Sequence, residues 1–178
     1  MNIFNEGKPQ DIAHVLSAKD KRVALQQAIF TKYPIGTLVD INLNIPGPIK
    51  NNCYLEKLFR FGISQLEKKW QNMEYSYRLV SSLDEDTGCE NFYILDLPAK
   101  VVKKSTVDFE DNTSLGRLFD ADVLVKNQAA AISRKDLGER PRRCFLCNRP
   151  AKECSRSRRH SVVEMQDYIS RLYEKYVK

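Results

Sequence analysis

The chain has 178 residues, 42% of them hydrophobic and 29% charged, with only 7 Gly and 7 Pro. That excludes collagen-like, low-complexity and disordered classes and fits one domain with a full core. No apolar run approaches the ~18 residues of a membrane helix, no signal peptide opens the chain, and an odd five cysteines make a secreted disulfide framework a poor fit, so a reducing cytoplasm is expected.

The first expected element is a helix from about Lys19 to Tyr33, ended by Pro34-Ile35-Gly36. Leu38–Ile45 alternates apolar with polar residues and reads as a half-buried strand, stopped by Pro46-Gly47-Pro48. A second helix, about Asn51 to Gln71, carries the stripe Leu55, Leu58, Phe59, Gly62, Leu66 and Trp70. Two strands, roughly Tyr75–Leu83 and Asn91–Leu97, flank the polar turn 84–88 as an antiparallel hairpin. After Pro98 comes a short helix or extended segment, then a strand from Leu118 to Val125. Residues 131–159 show no periodicity. Ser161-Val-Val-Glu164 is a capping box that opens a terminal helix. This order predicts a single α+β domain with a mixed or antiparallel sheet and helices packed on it, residues 1–125 forming the core and 126–178 a basic, Cys-rich segment plus helix.

The net charge of +6 follows the same division. Residues 1–125 hold 15 Lys+Arg against 17 Asp+Glu, and residues 126–178 hold 14 against 6. The excess is local, which favours a focused anion site over a broad basic surface, and a slightly acidic body is unusual for a dedicated duplex binder.

Three patterns carry chemistry. Asp120-Ala121-Asp122 puts two carboxylates on one face of the predicted strand, a pair that suits Mg²⁺ or a solvated strand face. Gly116-Arg117 ahead of it could admit a phosphate or be a plain turn, and Lys50 is either a surface lysine at a turn or a phosphate contact at a helix start where anions are favoured. Cys144, Cys147, Cys154 and His160 offer three thiols and an imidazole, compatible with structural zinc, reduced structural cysteines or redox activity. Arg156, Arg158 and Arg159, with Arg140, Arg142 and Arg143 upstream, could serve a solvated loop, an RNA patch or a polyphosphate cradle. Only Phe145 interrupts them, so no base-stacking platform is evident.

Taken together, these segments resemble the apo-citrate lyase phosphoribosyl-dephospho-CoA transferase family, the holo-citrate lyase synthases. The likeness is carried by Pro46-Gly47-Pro48-Ile49-Lys50, by Leu115-Gly116-Arg117-Leu118-Phe119-Asp120-Ala121-Asp122-Val123-Leu124, by Ile132-Ser133-Arg134, by Arg142-Arg143-Cys144-Phe145-Leu146-Cys147, and by the run to His160. Thr113-Ser114 stands where family members often have His-Pro, and Ala121 where isoleucine is common.

The resemblance implies a nucleotidyltransferase-like domain. A serine of the apo acyl carrier (gamma) subunit of citrate lyase would attack the α-phosphate of 2′-(5″-triphosphoribosyl)-3′-dephospho-CoA, releasing diphosphate. It implies Asp120 and Asp122 as Mg²⁺ ligands, Arg117, Arg134 and Lys50 as phosphate contacts, Gly116 as the point of close approach, and Arg156, Arg158 and Arg159 as contacts to triphosphate or carrier. Neither nucleic acid nor membrane is then an expected partner. Asp96, Asp108 and Glu110 are candidates for a third metal ligand. The competing expectations are a small zinc-containing RNA-binding or adaptor protein, and the same transfer to another acceptor.

Overall fold

The computed structural model describes residues 1–128 and 130–178. Its elements are α1 (Ile12–Lys32), β1 (Thr37–Leu43), α2 (Cys53–Asn72), β2 (Tyr77–Glu85), β3 (Gly88–Leu95), α3 (Ala99–Asn112), β4 (Phe119–Leu124), α4 (Ala151–Arg156) and α5 (Val162–Tyr176). Short 3₁₀ turns lie at Ile3–Asn5, Gly116–Leu118 and Lys135–Leu137. The strands form one sheet in the order β2-β3-β1-β4 with every neighbouring pair antiparallel, so the fold is α+β and the sheet is not mixed.

Period-two alternation decides what each face of the sheet does. Val39 and Ile41 of β1 and Phe119, Ala121 and Val123 of β4 enter the main core with Leu55, Leu58, Leu66 and Trp70 of α2, Val102 and Phe109 of α3, and Ile169 and Tyr173 of α5. On the reverse face Leu38 and Phe92 pack against Ile29, Leu25 and Phe30 of α1. Val80, Leu83, Ile94 and Leu124 extend this apolar patch, and the polar part of the same face, around Asp40 and Asn42, holds the candidate site.

Local chemistry sets the element boundaries. Asp11 accepts the His14 N–H and starts α1 at Ile12, ahead of the expected Lys19, because a side-chain cap can begin a helix where the apolar stripe is weak. His14 is drawn into that cap, with Nδ1 2.7 Å from Asp11 Oδ1. Asn52 caps α2 through the N–H groups of Tyr54 and Leu55, and the capping box at Ser161 and Glu164 forms as expected. Gly88, at φ +135°, allows a two-residue connection of Asp86-Thr87, so hairpin pairing runs to Glu85 opposite Gly88. The segment after Pro98 is a full helix, longer than the short or extended stretch expected.

Among the described residues no fifth strand lies beside the edge strand β4; α3 takes that place. Glu110 Oε1 accepts the Ala121 N–H at 3.0 Å and Lys103 Nζ donates to the Ala121 carbonyl at 2.8 Å, both side chains being buried. Two charged groups thus satisfy the open backbone at Ala121, between Asp120 and Asp122, while the Ile132 N–H donates to the Val123 carbonyl at 2.8 Å.

Candidate active site

The antiparallel register assembles the site. Across β1 and β4, Asp40 stands opposite Asp122 and Asn42 opposite Asp120; across β1 and β3, Asn42 stands opposite Glu90. Directly opposite residues share a face with Cβ atoms about 4.5–5.5 Å apart. Asp40, Glu90, Asp120 and Asp122 therefore form one acidic patch spanning three strands. Ala121 and its neighbours Phe119 and Val123 are buried on the other face, which holds the pair rigidly outward.

The four acids differ in setting. Asp120 is 54% exposed at its side chain. Asp122 also reaches solvent, yet enough protein surrounds it that desolvation raises its carboxyl above the ordinary value, with the charge of Asp120 adding to the shift and Lys103 and Arg22 opposing it. Asp40 is 1% exposed. Its Oδ2 accepts a 2.7 Å bond from Gln26 Nε2 of α1 and lies 3.8 Å from Arg22 Nε, while Oδ1 finds no donor. Burial first, then the neighbouring Glu90, push Asp40 up to about 9. Glu90 itself pairs with Arg22. The patch is a concentration of oxygen ligands with an uncompensated acceptor at its buried end, which fits a hard divalent cation such as Mg²⁺.

Two cavities meet beside it. One of about 310 Å³ is lined by Asp120, Asn42, Glu90, Arg22, Lys19 and Lys50. The other, about 500 Å³, is lined by Arg117, Arg142, Arg143, Arg158, Phe145 and His160. Asn44 lines both. Arg142 spans the junction: Nη1 lies 3.2 Å from Asp120 Oδ1, and Nη2 donates to the carbonyl of Arg117 at 2.8 Å and to that of Phe119. Arg117 Nη1 in turn donates to the Cys144 carbonyl at 2.9 Å, tying the basic segment to the start of β4. Lys50 Nζ donates to the Ile45 carbonyl at 2.7 Å, and burial lowers its pKa.

Other expected site residues sit elsewhere. Arg134 is held by Glu110 at 2.5 Å and Asp111 at 2.8 Å, on the α3 side of β4. Gly116 is fixed by packing, since a Cβ there would lie 2.1 Å from the Phe109 carbonyl oxygen. Arg156 and Arg159 are exposed and outside the lining of the arginine cavity, whereas Arg158 is within it. None of the suggested third ligands joins the patch. Asp108 pairs with Lys69, Glu110 caps the strand edge, and Asp96 is exposed just beyond the end of β3. Sequence reading missed Asp40 and Glu90. Asp40 was visible only as a polar member of an alternating strand, and no local motif marks a cross-strand partner.

The Cys/His cluster does assemble. One ligand atom from each of Cys144, Cys147, Cys154 and His160 lies within 4.8 Å of the others. Cys147 Sγ is 3.4 Å from Cys154 Sγ and 3.3 Å from His160 Nε2. The Arg149 N–H foremost, then His160, lower the Cys147 thiol to about 6, whereas desolvation and the adjoining thiols push Cys154 up to about 11.

The site is thus an acidic strand face beside an arginine-lined cavity in an α+β domain. The family model described as apo-citrate lyase phosphoribosyl-dephospho-CoA transferase matches residues 10–176. A Streptococcus pyogenes serotype M18 (strain MGAS8232) protein named as a probable transferase of this kind is 36% identical over 175 residues, 97% of this chain and 90% of its own length. The Escherichia coli O7:K1 (strain IAI39 / ExPEC) protein of that name is 30% identical over 161 residues, 90% and 87% of the two chains. Protein CitXG of Leuconostoc mesenteroides subsp. cremoris is 30% identical over 178 residues, all of this chain and 38% of that longer protein. The chain belongs to the apo-citrate lyase phosphoribosyl-dephospho-CoA transferase family.

Proposed function

We propose that this chain transfers the phosphoribosyl-dephospho-CoA group of 2′-(5″-triphosphoribosyl)-3′-dephospho-CoA to a serine of the acyl carrier subunit of apo-citrate lyase. The observation that carries this reading, beyond family membership, is the acidic face at the mouth of an arginine-lined cavity. In the reaction the serine oxygen bonds to the α-phosphorus, the bond from that phosphorus to the bridging oxygen of the leaving diphosphate breaks, and a carboxylate of the acidic face takes the hydroxyl proton.

Asp120 and Asp122, with Asp40 behind them, would hold Mg²⁺, which supplies charge neutralisation at the phosphoryl and leaving oxygens when bound. Arg142, Arg117, Arg143 and Arg158 bind phosphate oxygens from the cavity side, the fork of each guanidinium matching two oxygens at once. Lys50 contributes from the opposite cavity, where partial burial strengthens its field. Asn44, common to both cavities, orients the chain of the donor between them. Arg156 and Arg159, exposed beside the cavity, meet the carrier subunit, as acyl carrier proteins are in general acidic.

An RNA-binding or adaptor role gains no support, because several of the arginines converge on a concavity and only Phe145 lies among them, stacked on Tyr168 at 5.5 Å. The test is mass spectrometry of the carrier after incubation with donor, Mg²⁺ and enzyme. The adduct mass should appear with release of diphosphate. Asp120→Asn and Asp122→Asn should each slow transfer by on the order of 10²- to 10³-fold with the thermal midpoint little changed. A double variant that retains near-full activity would remove the carboxylate pair from the mechanism.

A further inference from the structure

We propose that Cys144, Cys147, Cys154 and His160 bind one structural zinc ion, and that this ion is what folds the basic segment into a wall of the arginine cavity. Two independent observations meet here. The first is the donor set: three sulfurs and one ring nitrogen, all within 4.8 Å of one another, drawn from three separate pieces of backbone. Cys144 and Cys147 come from the turn that begins at the lone bridge between Arg143 and Pro150, Cys154 from α4, and His160 from the residues just ahead of α5. Soft sulfur ligands with one imidazole suit zinc, and four protein ligands close the coordination shell, as structural sites require.

The second observation is what the segment lacks. Among the described residues from 126 to 160, the only buried side chains are Cys144 and Cys154. The stretch has a three-residue 3₁₀ turn, one isolated bridge and a six-residue helix, with no apolar core of its own. A segment this poor in buried apolar surface needs a staple to hold one conformation. Metal binding provides one, since the free energy of coordination becomes free energy of folding. Binding releases the thiol protons to solvent, and three thiolates around a dication leave one net negative charge. Nearby cations balance it: Arg117 already grips the Cys144 carbonyl, and Arg143 Nη1 lies 3.3 Å from the Asn148 carbonyl.

The consequence for substrate handling is direct. His160 and Cys144 line the same cavity as Arg142, Arg143 and Arg158, so the ion fixes the arginines from behind without touching the acidic face. The zinc assignment can be tested without any substrate, so its failure and a failure of the transferase reading are separable.

Elemental analysis of protein purified without chelator should give about one zinc per chain. Replacement of the metal by Co²⁺ should produce thiolate-to-metal charge-transfer and tetrahedral ligand-field bands. The double variant Cys147→Ser/Cys154→Ser should lose the metal, keep its far-ultraviolet circular dichroism, and be cut between residues 130 and 160 by trypsin at least about tenfold faster. Chelation of the native protein should reproduce that cleavage and lower the thermal midpoint by about 5 °C or more. A metal content near zero together with absent Co²⁺ bands would overturn the site. Cleavage unchanged by chelation in a zinc-loaded sample would overturn the folding role. Isolation of the reduced-buffer protein with a Cys147–Cys154 disulfide in place of metal would also overturn it.

Discussion

Asp40 is where the chemistry of single residues departs most from its surroundings. It sits on the central strand with both faces covered, 1% exposed, and one of its oxygens has no donor. A carboxylate in such a place costs several kcal/mol unless paired. The protein tolerates it by crowding Arg22, Gln26 and Glu90 around it and by holding the proton well above the usual range, to about 9. Asp40→Asn keeps the Gln26 contact and the shape while removing the carboxyl that a bound cation would ionise. We expect a protein at least as stable as the parent in metal-free buffer, measured by thermal denaturation, with transfer slowed about 10-fold or more at saturating donor. Equal activity would assign Asp40 to structure alone. Arg142 presents the complementary case. It spans Asp120, Arg117 and Phe119, so its guanidinium can exchange a carboxylate oxygen for a donor phosphate without moving its backbone. Arg142→Ala should raise the KM for the donor by about tenfold, and Arg142→Lys should fail to restore it, because a lysine has no fork to satisfy two acceptors at once. Recovery by lysine would mean that only the charge matters.

The carboxylate pair depends on elements far from it in sequence. Gly62 of α2 is buried where a Cβ would come within 2.2 Å of the Phe119 ring, and Phe119 is the first residue of β4. Alanine gains about 1 kcal/mol of helix propensity there and loses about 1–3 kcal/mol to overpacking. We expect Gly62→Ala to be destabilising on balance, with a lower denaturation midpoint and a shift of Phe119 that misplaces Asp120, so that activity falls further than stability does. A variant as active and stable as the parent would show that Phe119 can move without cost. The same dependence on distant elements explains what the sequence could and could not reveal. Strand alternation in Leu38–Ile45 and 118–125, the stripe of α2 and the capping box of α5 are local patterns, and each formed close to the expected residues. The Asp120/Asp122 pair and the Cys/His spacing were legible for the same reason. Asp40 and Glu90 join the patch only through register, which no local window contains. Arg134 and Gly116 carry motif positions, yet their contacts lie with α3 and its carboxylates. The start of α1 was misplaced because one capping aspartate outweighs a weak apolar stripe.

At the scale of the molecule, the uneven charge becomes a spatial arrangement. The body through residue 125 is slightly acidic and the remainder strongly basic. The basic segment is a strap secured at both ends. It leaves β4 just after the carboxylates and returns through α5, which is bound to the body by the Ile3 N–H to Ser170 Oγ at 3.2 Å, by Gln166 to the Pro46 carbonyl at 3.2 Å, and by the terminal amine to Glu174 at 2.7 Å. Anchored in this way, the strap keeps its arginines beside the acidic face without neutralising it, apart from Arg142. An anionic donor and an acidic carrier would both be drawn to the same rim, but at different depths. The half-buried Arg117, Arg142 and Arg143 of the cavity are partly shielded from salt, whereas Arg156 and Arg159 lie in open solvent. Raising the salt from about 0.05 M to about 0.5 M shortens the Debye length from roughly 14 Å to roughly 4 Å and should weaken the exposed contacts first. We therefore expect the KM for the carrier to rise by about fivefold or more, with the KM for the donor changing less. Arg156→Ala/Arg159→Ala should flatten the carrier's salt dependence and leave kcat at saturating carrier near the parent value. If the donor KM carries the salt dependence instead, the two exposed arginines belong to the triphosphate and the carrier must dock elsewhere.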